Sequence, residues 1–347
     1  MKKVLVTGGA GFFGTSLTKG LINSGYFVKA LDIDKSREVI DNTGALEFVL
    51  GDIRDKNLLN KSCKDLDFLI HAAAILPISR SKKKIFWDVN VNGTRNVLES
   101  ALNNNVKRVI FISSSSQYGI PKEVPITEKT EFNPVCDYGK SKLAAENVCC
   151  EFRKKGLDVV ILRPRTIIGT GRLGLFQILY SWIADNKKIY IIGKGDNLFS
   201  FLSESDLVNA CILALKKDCK NQDFNLGTKD FKTVKDDLTD LINHVKSSSR
   251  IISTPAKPVK LLLRILDKLN LAPFTQWHYM TPDKPFYFDI SKAIEILDWN
   301  PELSNIEMLK DNYSYYLNNR QKIDSNFGTT HSNSVKQKIL KFLKKIS

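Results

Sequence analysis

Short apolar runs alternate with amphipathic stretches through the first half of the chain. Lys3–Thr7 (KVLVT) is a compact β-branched run, bounded at once by glycines, and reads as a buried strand. Tyr26–Asp32, Leu46–Leu50, Phe68–His71, Arg108–Ser113 and Val159–Arg163 repeat that signature. Helical spacing fills most of the intervals, at Leu17–Asn23, Lys56–Cys63, Val89–Asn103 and Ser141–Lys154. Alternation of this kind predicts a parallel sheet with helices on both faces, the doubly wound α/β (Rossmann) class, with a smaller C-terminal part built from segments after Arg163.

The turn after the first strand is Gly8-Gly9-Ala10-Gly11-Phe12-Phe13-Gly14, inside a strand–helix–strand unit of about 30 residues. Gly8, Gly11 and Gly14 permit a tight turn, close approach of a pyrophosphate and close helix packing. The helix N-terminus that follows favours negative charge. Asp32 closes the second strand, where a carboxylate accepts hydrogen bonds from ribose hydroxyls and repels a 2′-phosphate, which argues for NAD over NADP. Asp52, just past the third strand, has two readings on spacing: a contact in the adenine pocket or an N-cap for the Lys56–Cys63 helix. His71 to Ala74 end the fourth strand with small residues that admit a ligand, and His71 itself reads as a packed strand-end histidine. The fifth strand runs into four serines, Ser113 to Ser116, at the sheet edge where ligands sit in open α/β folds.

Tyr138 and Lys142 stand four residues apart, on one face of a helix. A phenol titrates near ~10, and an ammonium group beside it favours the phenolate, so the pair can trade a proton with an alcohol or carbonyl near neutral pH. An ordinary surface Tyr/Lys pair has the same spacing. The glycine loop, Asp32 and the serine-ended strand are what separate the two readings.

The 347 residues, 43% hydrophobic and 26% charged, are ordinary for a globular protein and ample for a large core. With no apolar run of about 18 residues, no transmembrane helix is expected, and the N-terminal run is too short for a signal peptide. Six scattered cysteines without a CxxC pair, and four histidines, give no metal-site pattern; free thiols in a reducing cytoplasm are expected. The net charge of +15 points to an anionic partner, and no nucleic-acid-binding motif accompanies it.

Taken together, TGGAGFFG (7–14), GDI (51–53), HAAA (71–74), NVNGT (90–94), ISSSSQYG (112–119) and YGKSK (138–142) resemble the extended short-chain dehydrogenase/reductase family of NAD-dependent epimerases and dehydratases. The resemblance spans about residues 3 to 318 and loosens in the second half. It implies that Tyr138 is the catalytic acid/base, Lys142 its tuning cation and Ser114 the substrate-oxygen donor. It also implies a cofactor site of Gly8, Gly11, Phe12, Phe13, Gly14, Asp32, Asp52, Ile53, Ala72, Ala73, Ala74, Asn90, Tyr138 and Lys142, with Asn90 as the helix asparagine that supports the active site. Residues 1–164 would form the dinucleotide-binding domain, with 205–249 returning to it. Residues 165–204 and 250–320 would form the substrate-binding part, and 321–347 a flexible linker and basic tail helix. A homodimer is expected from resemblance alone.

The second half departs from the sugar-nucleotide pattern in three places. Arg165 and Thr166 stand where Phe-Asn usually follows Leu-Arg-Pro, Phe199 replaces a pyrophosphate-binding arginine, and Tyr279 replaces a second. Arg165, Thr166 and Arg172 are the substrate-side candidates, with Lys194 and Lys284 as further cations. Ser115 and Ser116 take the place of the acidic pair of dehydratases, which disfavours dehydration. Two basic amphipathic stretches, Val259–Leu269 and Val335–Ile346, remain; the second suggests peripheral contact of residues 331–347 with an anionic membrane. The leading reading is a nucleotide-sugar 4-epimerase-like enzyme. Behind it stand a hydroxysteroid-dehydrogenase-like enzyme on an apolar alcohol and a non-catalytic NAD-binding regulator.

Overall fold

The computed structural model of the chain describes residues 1–35, 39, 41–77, 81–171, 173–269, 271, 275–325 and 344. Arg172 and nearly all of the 331–347 tail lie outside the described residues. The elements run β1 (Lys3–Thr7), α1 (Phe12–Asn23), β2 (Phe27–Asp32), β3 (Leu46–Leu50), α2 (Lys56–Ser62), β4 (Phe68–His71), α3 (Lys83–Phe86), a π-helical turn Trp87–Gly93, α4 (Thr94–Asn103), β5 (Arg108–Ile112), a short 3₁₀ turn Ser115–Tyr118, α5 (Asp137–Lys154) and β6 (Val159–Pro164). Then follow β7 (Ile167–Ile168), α6 (Phe176–Ala184), β8 (Ile189–Ile192), β9 (Leu202–Ser203), α7 (Glu204–Lys216), β10 (Asp223–Leu226), α8 (Val234–His244), β11 (Ile251–Thr254), α9 (Ala256–Lys268), α10 (Gln276–Met280), α11 (Ser291–Leu297), α12 (Asn305–Asn318) and α13 (Arg320–Ser325).

Seven strands form one parallel sheet in the order β10-β6-β5-β4-β1-β2-β3. The chain reverses direction across the sheet between β1 and β4, with Val4 level with both Val28 and Phe68, and the crevice beyond their C-terminal ends is where such folds bind ligands. Helices on both faces explain why the central strands read as continuous apolar runs. Val4 and Val6 face one core with Leu17 and Leu21 of α1 and Leu207 of α7, while Leu5 faces the other with Val97 of α4 and Val148 of α5. A third core gathers Tyr180, Ile189, Leu241, Tyr313 and Tyr316 from α6, β8, α8 and α12, outside the sheet.

Two local expectations change. The helix read from Val89 begins earlier and opens with the π-helical turn around Asn90 before α4 proper. The N-cap of α2 is Asp55, whose Oδ1 accepts from the backbone N–H of Asn57 and Leu58. Asp52 does not cap that helix, because its carboxylate is held by Arg54 instead. Among the described residues no helix is long and apolar enough to cross a membrane, and no cluster of His, Cys, Asp or Glu could hold a metal.

Candidate active site

One cavity of about 720 Å³ opens at the C-terminal edge of the sheet, lined by the loops that leave β1 through β6. Its first wall is the glycine loop. Gly8 adopts φ +74°, and a Cβ there would meet the Ala73 backbone nitrogen at 2.8 Å, so only glycine fits between this turn and the β4 exit. Gly11, at the N-cap of α1, leaves the first turn of that helix without a side-chain cap, which keeps its backbone N–H groups for an anionic ligand. Gly8, Gly11, Phe12, Phe13 and Gly14 all line the cavity. Asp32 joins them, its carboxylate accepting from the backbone N–H of Ala10 at 3.0 Å and of Asp34 at 3.1 Å. Burial raises its pKa.

Asp52, Ile53, Ala72, Ala73 and Ala74 complete this half. Arg54 holds the Asp52 carboxylate through Nε and Nη2, at 3.0 and 2.6 Å, and its hydrogen bond lowers the Asp52 pKa. Asn90 does not line the cavity. It is buried and uses every polar atom internally: Oδ1 accepts from Ile75 N–H, and Nδ2 donates to Ile75 O and to Ser141 Oγ. It therefore clamps the β4 exit loop to α5 between Tyr138 and Lys142, a supporting position rather than a cofactor contact. His71 is fully enclosed, bridging Thr7 and Thr94 at 2.7 and 2.9 Å. Thr94 gives its own proton to Asn90 O, so His71 Nε2 donates to Thr94 while Nδ1 accepts from Thr7. Burial drives the His71 pKa down to about 3, leaving a neutral strut.

The other wall carries Ser114, Tyr138 and Lys142. The four serines have four different fates. Ser113 is buried and donates to Glu146 Oε1 at 2.5 Å. Ser115 is buried and accepts from Arg165 Nη1 at 3.2 Å. Ser116 is buried, and its hydroxyl has no partner among the described residues. Ser114 alone of the four is partly open, its Oγ accepting from Ser116 N–H, with its own proton left to offer a ligand. Tyr138 and Lys142 lie on the buried face of α5. Gly139 between them lets the helix close on the serine turn, since a Cβ there would stand 2.7 Å from Ser116 O. Lys142 Nζ donates to Ile112 O at 2.6 Å and sits 4.2 Å from the centre of the Phe111 ring. Burial lowers its pKa to about 8, still on the charged side at neutral pH.

Glu146, one turn beyond Lys142, was not singled out in the sequence. It accepts from Ser113, Gln117 and Arg163, and Arg163 also pairs with Asp223 of β10. This buried network ties the end of β5 to α5 and to the sheet edge. The signal for it was present: Glu146 continues the Tyr138/Lys142 helical stripe into the core.

Residues 4–227 match the family described as "NAD dependent epimerase/dehydratase family". The chain belongs to that family. It is 36% identical over 345 residues to the uncharacterized protein y4nG of Sinorhizobium fredii, covering 99% of this chain and 86% of that one. It is 31% identical to a UDP-glucose 4-epimerase of Lactobacillus helveticus, covering 88% and 94%. Among solved structures it is similar to a UDP-glucose 4-epimerase of Thermotoga maritima with UDP-glucose, at TM-score 0.75 and 26% identity, over 92% of this chain and 99% of that one. The residues present fit the NAD that this epimerase/dehydratase family uses: a glycine cradle that a Cβ would fill, an acid at the end of β2 and an uncapped helix N-terminus.

Of the cations considered, Arg165 lines the cavity, Lys194 and Lys284 are exposed and do not line it, and Arg172 lies outside the described residues. Arg165 is 1% exposed. Its guanidinium lies 4.0 Å from the Phe286 ring centre and 4.5 Å from that of Phe199, and donates to Ser200 O and Ser115 Oγ. Among the described residues it makes no ion pair, and Nη2 has no hydrogen-bond partner. Burial lowers its pKa to about 9. Phe199 thus serves as a wall of an aromatic box for a cation rather than as the cation itself. Tyr279 is buried, its hydroxyl donating to Asp267 of α9. Thr166, Ile85, Trp277 and His278 also line the cavity, and the last three were not anticipated because they come from segments far apart in the chain.

Proposed function

We propose that the protein is a nucleotide-sugar 4-epimerase-like enzyme in which Tyr138 exchanges the proton of a sugar hydroxyl. The observation that carries this reading is that Ser114, Tyr138 and Lys142 line the same cavity as the glycine loop and Asp32. The Lactobacillus and Thermotoga relatives support the substrate class. NAD, held by Gly8, Gly11, Gly14, Asp32 and the Ala72–Ala74 segment, supplies hydride-accepting chemistry when bound. Tyr138 takes the hydroxyl proton, Ser114 donates a hydrogen bond to the same oxygen, and the Lys142 ammonium stabilises the phenolate. Arg165, with Thr166, meets an anionic oxygen of the substrate, because among the described residues its buried guanidinium makes no ion pair and Nη2 has no hydrogen-bond partner. Six free thiols support a cytoplasmic setting. A homodimer, and contact of residues 331–347 with an anionic membrane, belong to the same reading; the described part of that tail is Lys344, which pairs with Asp185 at 2.6 Å.

A second reading, an oxidoreductase on an apolar alcohol, draws on Leu76, Pro77, Ile85 and Trp277 in the cavity lining. A non-catalytic NAD-binding role has less support, since it gives no reason for Ser114, Tyr138 and Lys142 to share the cavity. Thermal-shift screening with NAD present separates the first two. We expect a UDP-, GDP- or dTDP-sugar to raise Tm where lipid alcohols do not, and the stabilising sugar nucleotide to be interconverted with its C4 epimer. Stabilisation by lipid alcohols alone would replace the first reading with the second.

A further inference from the structure

We propose that α9 is a docking surface for an anionic lipid bilayer. The helix has no buried residue. Leu261, Leu262, Ile265 and Leu269, the last at its C-cap, are 60%, 54%, 48% and 60% exposed. At 100° per residue these four fall within one arc of about 100°, a continuous apolar stripe turned away from the protein. Lys257, Arg264 and Lys268 are exposed along one side of the stripe. The opposite side of the helix is anchored. Val259, Leu263 and Leu266 are partly buried, Lys260 pairs with Asp283 at 2.5 Å and donates to Met280 O, and Asp267 accepts from Tyr279. The apolar stripe is therefore held outward by polar anchors and is not the loose end of a frayed helix.

Aliphatic side chains flanked by cations on one exposed helix face match a helix lying in the plane of an anionic membrane surface. The net charge of +15 favours the same partner. The stripe stands on a projecting helix rather than in a groove, so it suits a deformable lipid layer better than a shaped protein partner. Its position gives the contact a use. The polar anchors of α9 reach Tyr279 and Met280 of α10, and α10 supplies Trp277 and His278 to the cavity lining. Docking through α9 therefore sets the cavity wall formed by α10 one helix away from the headgroup layer.

Co-sedimentation of the full chain with phosphatidylglycerol-containing vesicles, and with vesicles of phosphatidylcholine alone, tests this without NAD or sugar, so its outcome is independent of the epimerase reading. We expect binding to the anionic vesicles that weakens as salt rises. Leu261→Glu/Ile265→Glu should lower the partition coefficient by about a hundredfold or more, and Lys257→Glu/Arg264→Glu/Lys268→Glu by a similar factor. All five side chains are exposed, so both variants should keep the wild-type Tm. Failure of the wild-type chain to bind would overturn the proposal. So would variants that bind as well as wild type, which would assign binding to another segment such as 331–347. A dimer in sedimentation velocity that the Leu261→Glu/Ile265→Glu change dissolves, with no vesicle binding, would make α9 a face between two copies instead.

Discussion

Four consecutive serines end β5, and their surroundings divide the work among them. Ser113 is spent on Glu146 and Ser115 on Arg165, while Ser114 keeps its hydroxyl for the cavity. Ser114→Ala is expected to lower kcat by about 10²-fold, the loss of one donor to the reacting oxygen, with little change in Tm. Ser113→Ala should do the reverse, costing about 1–3 kcal/mol in chemical denaturation because Glu146 loses a buried partner, with a smaller effect on kcat. Paired rate and denaturation measurements separate the two. Lys142 gives the pH dependence. Its ammonium is the form that favours the Tyr138 phenolate, and burial brings its pKa down to about 8. Turnover that needs this charge should therefore fall as pH rises through about 8, on the alkaline limb of the pH–rate profile. A profile flat across pH 7 to 9 (about one unit either side of that value) would remove Lys142 from this role. At this scale the sequence was informative about residue type and spacing, while the choice of Ser114 over its neighbours came from resemblance. The reason for that choice is tertiary: each neighbouring hydroxyl is claimed, or enclosed, by packing that no local pattern records.

At the scale of elements, the central strands β1, β4, β5 and β6 were readable because they are buried on both faces, so the apolar run itself marks them, whereas the edge strand β3 is only partly covered. Helix starts were less readable. Asp52 was one candidate cap for the Lys56–Cys63 helix, but Asp55 takes that place while Arg54 holds the Asp52 carboxylate. The π-helical turn at Trp87–Gly93 was invisible to hydrophobic periodicity, yet it holds the Asn90 clamp between the β4 exit loop and α5. The Glu146 network holds the same helix one turn beyond Lys142. Glu146→Ala should destabilise the protein by about 3–5 kcal/mol, the range for breaking a buried ion pair from one side. Because α5 carries Tyr138 and Lys142, kcat should fall as well, although Glu146 does not line the cavity. Urea unfolding and a rate assay on the same sample measure both. A variant as stable as wild type would show that the network does not brace the helix.

For the molecule as a whole, the two halves of the site differ in how much the sequence revealed. Pyrophosphate binding imposes one contiguous loop with fixed glycine positions, so the cofactor half was legible in a single stretch. The proposed substrate half is gathered from Ser115, Arg165 and Trp277 at the cavity, with Phe199 and Phe286 packed on Arg165 behind it, and these share no local pattern. The family resemblance implied that Phe199 and Tyr279 break a pattern. It could not show that Arg165 lies enclosed by the Phe199 and Phe286 rings with one guanidinium nitrogen unpartnered. We propose that Tyr138 is the group through which the substrate proton passes. Tyr138→Phe removes that hydroxyl and leaves the glycine loop and Asp32 in place. With NAD saturating, C4 interconversion of the stabilising nucleotide sugar should drop by about 10²–10⁴-fold while NAD affinity stays within about threefold of wild type. Interconversion at the wild-type rate by the Tyr138→Phe protein would contradict the account.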